Sequence, residues 1–149
     1  MKRHNASILK AVFKRRGEQT SNSGNFDHLS DSIKSYFSEY LLNDEIPILC
    51  EKGVSSWALL TERRLLWENG DGQRKSIDLN RLINASVNLL ASTRLGARKK
   101  IELSVLRLML SDGSHFELQL EAGPSFWGWL NVLTTIVAKN KAIASDAKD

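Results

Sequence analysis

Apolar residues along this chain recur first at helical spacing, then in strand-like alternation, then at helical spacing again. In residues 5–16, Ile8, Leu9, Val12 and Phe13 fall on one side of a helical wheel, beside Lys10, Lys14 and Arg15. That spacing predicts a short amphipathic helix ended by Gly17. The stretch 18–25 (EQTSNSGN) is polar, Ser-containing and Gly-containing, and reads as a flexible linker. A second helix is expected after it. Asp27 or Ser30 can accept from the free amides at its start, and Leu29, Ile33, Tyr36, Phe37, Tyr40 and Leu41 form one stripe that should pack on the body.

From Glu45 the period shortens to two, and turn residues arrive at short intervals. Seven strands are predicted, over residues 45–52, 54–61, 63–68, 73–79, 82–91, 101–110 and 115–121. Asn69-Gly70-Asp71-Gly72 and Asp112-Gly113 supply tight hairpins. Residues 92–97 read as a loop. Ile101, Leu103 and Val105 share one parity and Leu106, Leu108 and Leu110 the other, so a bulge or sharp bend is expected near 104–106. Gly123-Pro124-Ser125 suits a helix start, and Phe126, Trp129, Leu130, Leu133, Ile136 and Val137 follow on one face as far as about Lys139.

The expected fold is therefore α+β: a seven-stranded antiparallel barrel or sandwich capped by a C-terminal helix, with one or two N-terminal helices. It divides into a basic arm (1–17), a linker (18–26), a helix packed on the body (27–43), the β-rich domain (44–140) and a frayed tail (141–149).

The run VSSWALLTERRLLW from Val54 to Trp67, the Gly-rich turn after it and SIDLNRLI from Ser76 to Ile83 resemble the pattern of bacterial pleckstrin-homology-like (PH-like) and GRAM domains. In that pattern a strand ends in Leu-Thr-x-x-Arg, the next strand is aromatic, and a short Ile-x-Leu stretch leads into the fifth. The Ser111-Asp-Gly-Ser114 hairpin and the final helix stand where the family would place them. The resemblance spans residues 45–139 and implies the fold, and a binding role with it. Lipid-binding eukaryotic relatives hold phosphoinositide headgroups around the first hairpin loop. Here that loop, Glu51-Lys52-Gly53-Val54, is too short and too weakly basic for the purpose.

Composition narrows the role. At 149 residues with 42% apolar content, the chain can bury a core without metal or disulfide. Lys2, Arg3, Lys10, Lys14, Arg15 and Arg16 precede the first acid, Glu18, and together exceed the net charge of +4, so the body beyond them is slightly acidic. A nucleic-acid domain usually spreads its cations over the folded face, so nucleic acid is not the expected partner. No apolar run approaches the roughly 18 residues of a membrane span, and cytoplasm is the expected compartment.

Catalytic and metal chemistry find little support. His4, His28 and His115 share no ligand spacing, the single Cys50 completes neither a zinc set nor a disulfide, and no nucleophile-elbow, Walker or Rossmann motif occurs. The chain is read as non-catalytic, with no cofactor and no metal.

Binding candidates remain. Arg94, Arg98, Lys99 and Lys100 surround a loop with no acid before Glu102; it is either a solvated loop or a holder of phosphate or an anionic surface. The arm either lies on an anionic leaflet, docks on its own barrel or is disordered. Trp127 falls off the main stripe of its helix and is either a partner anchor or packed. Tyr36, Phe37 and Tyr40 either cover the barrel or make a dimer contact. Two functions follow: a module for protein interaction or self-association, and, as the alternative, a peripheral module at the inner face of the membrane, contacting anionic lipid through the arm and the 94–100 loop.

Overall fold

Hairpins lay the strands into two antiparallel sheets. The computed structural model describes residues 4–148, in the order α1 (Ala6–Arg16), β1 (Ser23–Asn25), α2 (Asp31–Ser38), β2 (Pro47–Lys52), β3 (Trp57–Thr61), β4 (Arg64–Glu68), β5 (Lys75–Asp78), β6 (Leu82–Val87), α3 (Leu89–Arg94), β7 (Val105–Leu110), β8 (His115–Gln119) and α4 (Pro124–Lys148). Strands β1 to β5 form one sheet in sequence order, and β6 to β8 form the second. Each of the seven expected strands has a counterpart in β2 to β8, trimmed at its ends.

The sheets do not close into a barrel. Side chains stitch the seams instead. Between β4 and β8, Trp67 Nε1 and Asn69 Nδ2 both donate to the Glu117 carbonyl at 2.9 Å, and Asn69 Oδ1 accepts from Gln119 N at 2.9 Å. Asn69 thus serves the free edge of β8 as a neighbouring strand would. On the opposite seam, the turn Leu79–Arg81 separates β5 from β6. There Asn140 of α4 donates to the Leu79 and Leu82 carbonyls at 2.7 and 2.8 Å.

Four expectations are corrected. The stretch 18–26, read as linker, holds β1, which pairs with β2 from Ser23↔Glu51 to Asn25↔Leu49 and is buried. Residues 89–94, read as the end of a strand and the start of a loop, form α3, because Asn88 Oδ1 accepts from Ala91 N at 3.0 Å and starts a helix there. Residues 101 and 103 belong to a 3-10 turn and its exit, so their parity never had to match that of β7, and no bulge is needed at 104–106. The observed register shifts fall elsewhere, between Leu82 and Asn84 in β6 and between Pro47 and Leu49 in β2. The latter lets both Ile48 and Leu49 face the main core. Finally, α4 runs on to Lys148, through the region read as a frayed tail.

The main core fills the space between the sheets and α4, with Leu60, Trp67, Leu108, Leu118, Phe126, Trp129, Leu133 and Ile136 fully enclosed. Helix α1 adds Leu9, Val12 and Phe13 to it. Gly17 and Gly128 allow that contact: a Cβ on Gly128 would stand 2.5 Å from the Phe13 ring and 2.9 Å from Gly17 Cα. Helix α2, begun at Ser30, closes a second core over the other face of the larger sheet, where Phe37, Cys50, Trp57, Leu59 and Leu66 meet.

One buried acid ties these parts together. Glu51, 3% exposed, accepts from Ser23 Oγ at 2.9 Å and from Glu121 N at 2.8 Å, while Trp129 Nε1 donates to Ser23 Oγ at 3.2 Å. Burial pushes its carboxyl up to about 7, overriding the lowering by those two hydrogen bonds, and the Glu121 charge adds to the rise. The folded state therefore binds the proton more tightly than the unfolded chain, whose carboxyl titrates near 4.5. The resulting stability is fully present below that value and is lost as pH rises through about 7. Urea midpoints measured across this window should fall with pH in the parent chain, and Glu51→Gln should flatten the slope. An unchanged slope in the variant would assign the titration to another group.

Candidate docking surface

Between β6 and β7 the chain makes a crossover, residues 88–102, that is anchored from beneath by small residues. Ser92 is fully buried; its Oγ accepts from Val105 N at 3.1 Å, and its carbonyl accepts from Ala97 N at 3.0 Å. Ala97 is buried as well. With Ser and Ala turned inward, the large side chains point out: Leu89 and Leu90 are each 64% exposed, Leu95 58% and Ile101 67%. Soluble helices bury leucine and expose serine, and α3 does the reverse. Of the nine large apolar side chains exposed among the described residues, four lie in this one segment, which makes it a patch rather than scatter.

The cations expected at a binding surface divide by location. Arg94, Arg98 and Lys99 stand exposed on the crossover, and Lys100 Nζ lies 4.9 Å from the centre of the Trp127 ring. Lys14, Arg15 and Arg16 are exposed in the last turn of α1, where positive charge also suits the helix dipole. Arg15 and Arg16 share a cleft of about 450 Å³ with Ile101, Pro124 and Trp127, so the end of the arm and the crossover meet at one place. Lys10 is engaged elsewhere, 2.8 Å from Asp27, whose carboxyl it holds below the usual range. Lys2 and Arg3 lie outside the described residues.

The aromatic candidates are engaged within the fold. Phe37 is fully buried, with its ring 6.0 Å from that of Trp57; Tyr40 lies 4.7 Å from the same indole. Tyr36 packs edge-on to Phe37 and carries Lys52 Nζ 4.6 Å from its ring centre, and burial pushes its hydroxyl up to about 12. These three cover the sheet. Trp127 is half-buried, edge-on to Phe126 beneath Lys100. The first hairpin loop offers no cationic pocket, since Glu51 is enclosed and Lys52 is taken up by Tyr36.

Leu89, Leu90, Leu95 and Ile101 were missed because strand alternation assigned them to a buried face or a loop. The signal that finds them is a helix stop and start around LLASTR: Asn88 at the N-cap and Gly96, at φ 100°, just past the end. Among the described residues, no group of three or more His, Cys, Asp or Glu gathers in metal-binding geometry, and no helix is long and apolar enough to cross a membrane. Cys50 is buried, and burial raises its thiol to about 12, far from the range of a reactive thiolate.

No family model, no curated protein and no solved structure matches this chain.

Proposed function

We propose that this chain is a non-catalytic docking module on a PH-like body, with residues 88–102 as its contact surface. The observation that carries the proposal is the inverted crossover, which is fixed in place by Ser92 and Ala97 while it holds four large apolar side chains in solvent. Exposed leucines on an ordered, capped segment cost solvation without serving the core, and a partner that covers them accounts for their placement. The PH-like part of the reading is supported by the seven antiparallel strands β2 to β8, arranged in two sheets and followed by one long helix. Of the candidate anchors for a protein partner, Tyr36, Phe37 and Tyr40 are spent on the larger sheet and Trp127 lies beneath Lys100, which favours the crossover over the helix faces as the contact.

A photoreactive benzophenone side chain tests this in cells. Placed at Leu90 or Ile101, it should form adducts; placed at Asn84, on the exposed side of β6, it should not. Adducts from position 84 with none from 90 or 101 would reject the crossover as the contact surface.

A further inference from the structure

We infer that the crossover docks on an anionic lipid bilayer, with Leu89, Leu90, Leu95 and Ile101 entering the interface and the surrounding cations level with the phosphates. This rests on the docking reading above and names its partner. The argument begins with charge. Arg94, Arg98, Lys99 and Lys100 are interleaved with the four apolar side chains over residues 89–101, and Arg15 and Arg16 flank Ile101 across the shared cleft. The acids beside them are Glu18, which also lines that cleft, Glu102, whose carboxylate accepts from Arg98 N at 3.3 Å, and Asp71 and Glu117, which line a cleft with Arg94 and Leu95. Six cations against four acids, one of which, Asp71, is paired with Lys75, give a net positive rim around an apolar tip on a body that is otherwise slightly acidic.

Shape selects the bilayer over an acidic protein. A stable protein interface needs on the order of 800 Å² per partner, with aromatic or arginine anchors seated in pockets. This surface offers four separate aliphatic side chains on a six-residue helix, its C-cap and a 3-10 turn, and its aromatics are engaged, Trp127 beneath Lys100 and Phe116 edge-on to the buried Trp67. A fluid interface accepts scattered aliphatic insertion with basic residues around it and demands no matching pocket. Of the parts open to the arm, it takes the one docked on its own body. Its apolar Leu9, Val12 and Phe13 are enclosed against the body, leaving its last-turn cations to contribute charge alone.

Flotation of the full chain with phosphatidylcholine vesicles, with and without phosphatidylglycerol, tests the inference. The parent chain should float with the anionic vesicles only, and less so as salt rises. Leu90→Ser with Ile101→Ser, and separately Lys99→Glu with Lys100→Glu, should each weaken partitioning about tenfold or more. Both pairs should unfold at the parent temperature, because all four side chains are exposed. Ile8→Ser on α1, also an exposed site, should change nothing. Flotation lost with Ile8→Ser and kept by both pairs would overturn the inference in favour of the arm. No flotation of the parent chain, together with protein adducts from position 90 in cells, would overturn the bilayer and leave the docking surface standing. No flotation and no adducts would remove both.

Discussion

Arg64→Met should cost this protein about 3–5 kcal/mol of folding stability, read as a lowered urea midpoint with little change in slope. The reason is Glu45, whose side chain is fully enclosed. Its carboxylate accepts from Arg64 Nε at 2.8 Å and Nη2 at 2.9 Å, from Thr61 Oγ1 at 2.8 Å and from Leu42 N at 3.0 Å. Burial alone would raise this carboxyl, but the Arg64 fork and the other donors outweigh it and hold it below its usual value of 4.5. A depressed folded pKa contributes stability above the unfolded value and loses it as pH falls, so the clamp supports the fold at neutral pH and fails in acid. Removing Arg64 leaves the acid to be buried charged and unpaired or to take up a proton. It also removes a donor from the Tyr40 carbonyl, at the end of the segment that carries α2. Arg64→Lys keeps the charge and loses the fork, and should fall between the two. Glu45→Gln with Arg64→Met should lose less than Arg64→Met alone, since no charge is then stranded. A loss below about 1 kcal/mol in the single variant would mean that water reaches the carboxylate.

Gly128→Val is expected to release α1 from the body. At this position α4 touches α1 at backbone distance: the first added carbon would stand 2.5 Å from the Phe13 ring and 2.9 Å from Gly17 Cα. Neither neighbour can give way, because Phe13 is fully enclosed and Gly17 Cα is main chain. Even Gly128→Ala should cost about 1–3 kcal/mol from overpacking, although alanine is roughly 1 kcal/mol the better helix former. Crowding wins because the helices cannot separate without exposing Leu9, Val12 and Phe13, each worth about 1.5–3 kcal/mol when buried. The larger, branched valine should shift the chain to a form with α1 undocked, seen as trypsin cleavage at Arg15 and Arg16 while the β-rich body stays intact. Valine tolerated with no gain in cleavage would place the helices further apart than described.

These two clamps show what a sequence of this kind discloses. Alternation marked the smaller sheet, β6 to β8, where one face meets the core and a slip of one residue would expose it, whereas β2 to β4 are covered on both faces and were legible from their short apolar runs and the turn residues between them. The LTERR turn was legible as a motif, and its chemistry is structural: Thr61 Oγ1 accepts from Arg63 N and Arg64 N at 3.1 Å, and Arg64 reaches back to Glu45. The short strand β1, Ser-Gly-Asn, was hidden because its contribution is polar. Ser23 serves Glu51 and Trp129, partners 28 and 106 residues away, and no local pattern announces them. The crossover was hidden for the opposite reason, since its leucines serve no core and read as buried only by analogy with the strands beside them. The basic candidates were visible as charge, but their grouping was not. Arg15 and Ile101 meet only because Gly17 and Gly128 bring α1 against α4.

The placement of contact at the crossover depends on the arm being spent inside the fold, and amide hydrogen exchange in the unmodified chain reads this directly. The account predicts that residues 9–13 exchange as slowly as Trp129 to Ile136 of α4, against which they pack, and that Leu89, Leu90 and the 98–101 turn exchange much faster. Exchange of residues 9–13 at the rate of a free peptide, with α4 still protected, would return the apolar face of α1 to solvent and make the arm, not the crossover, the docking element.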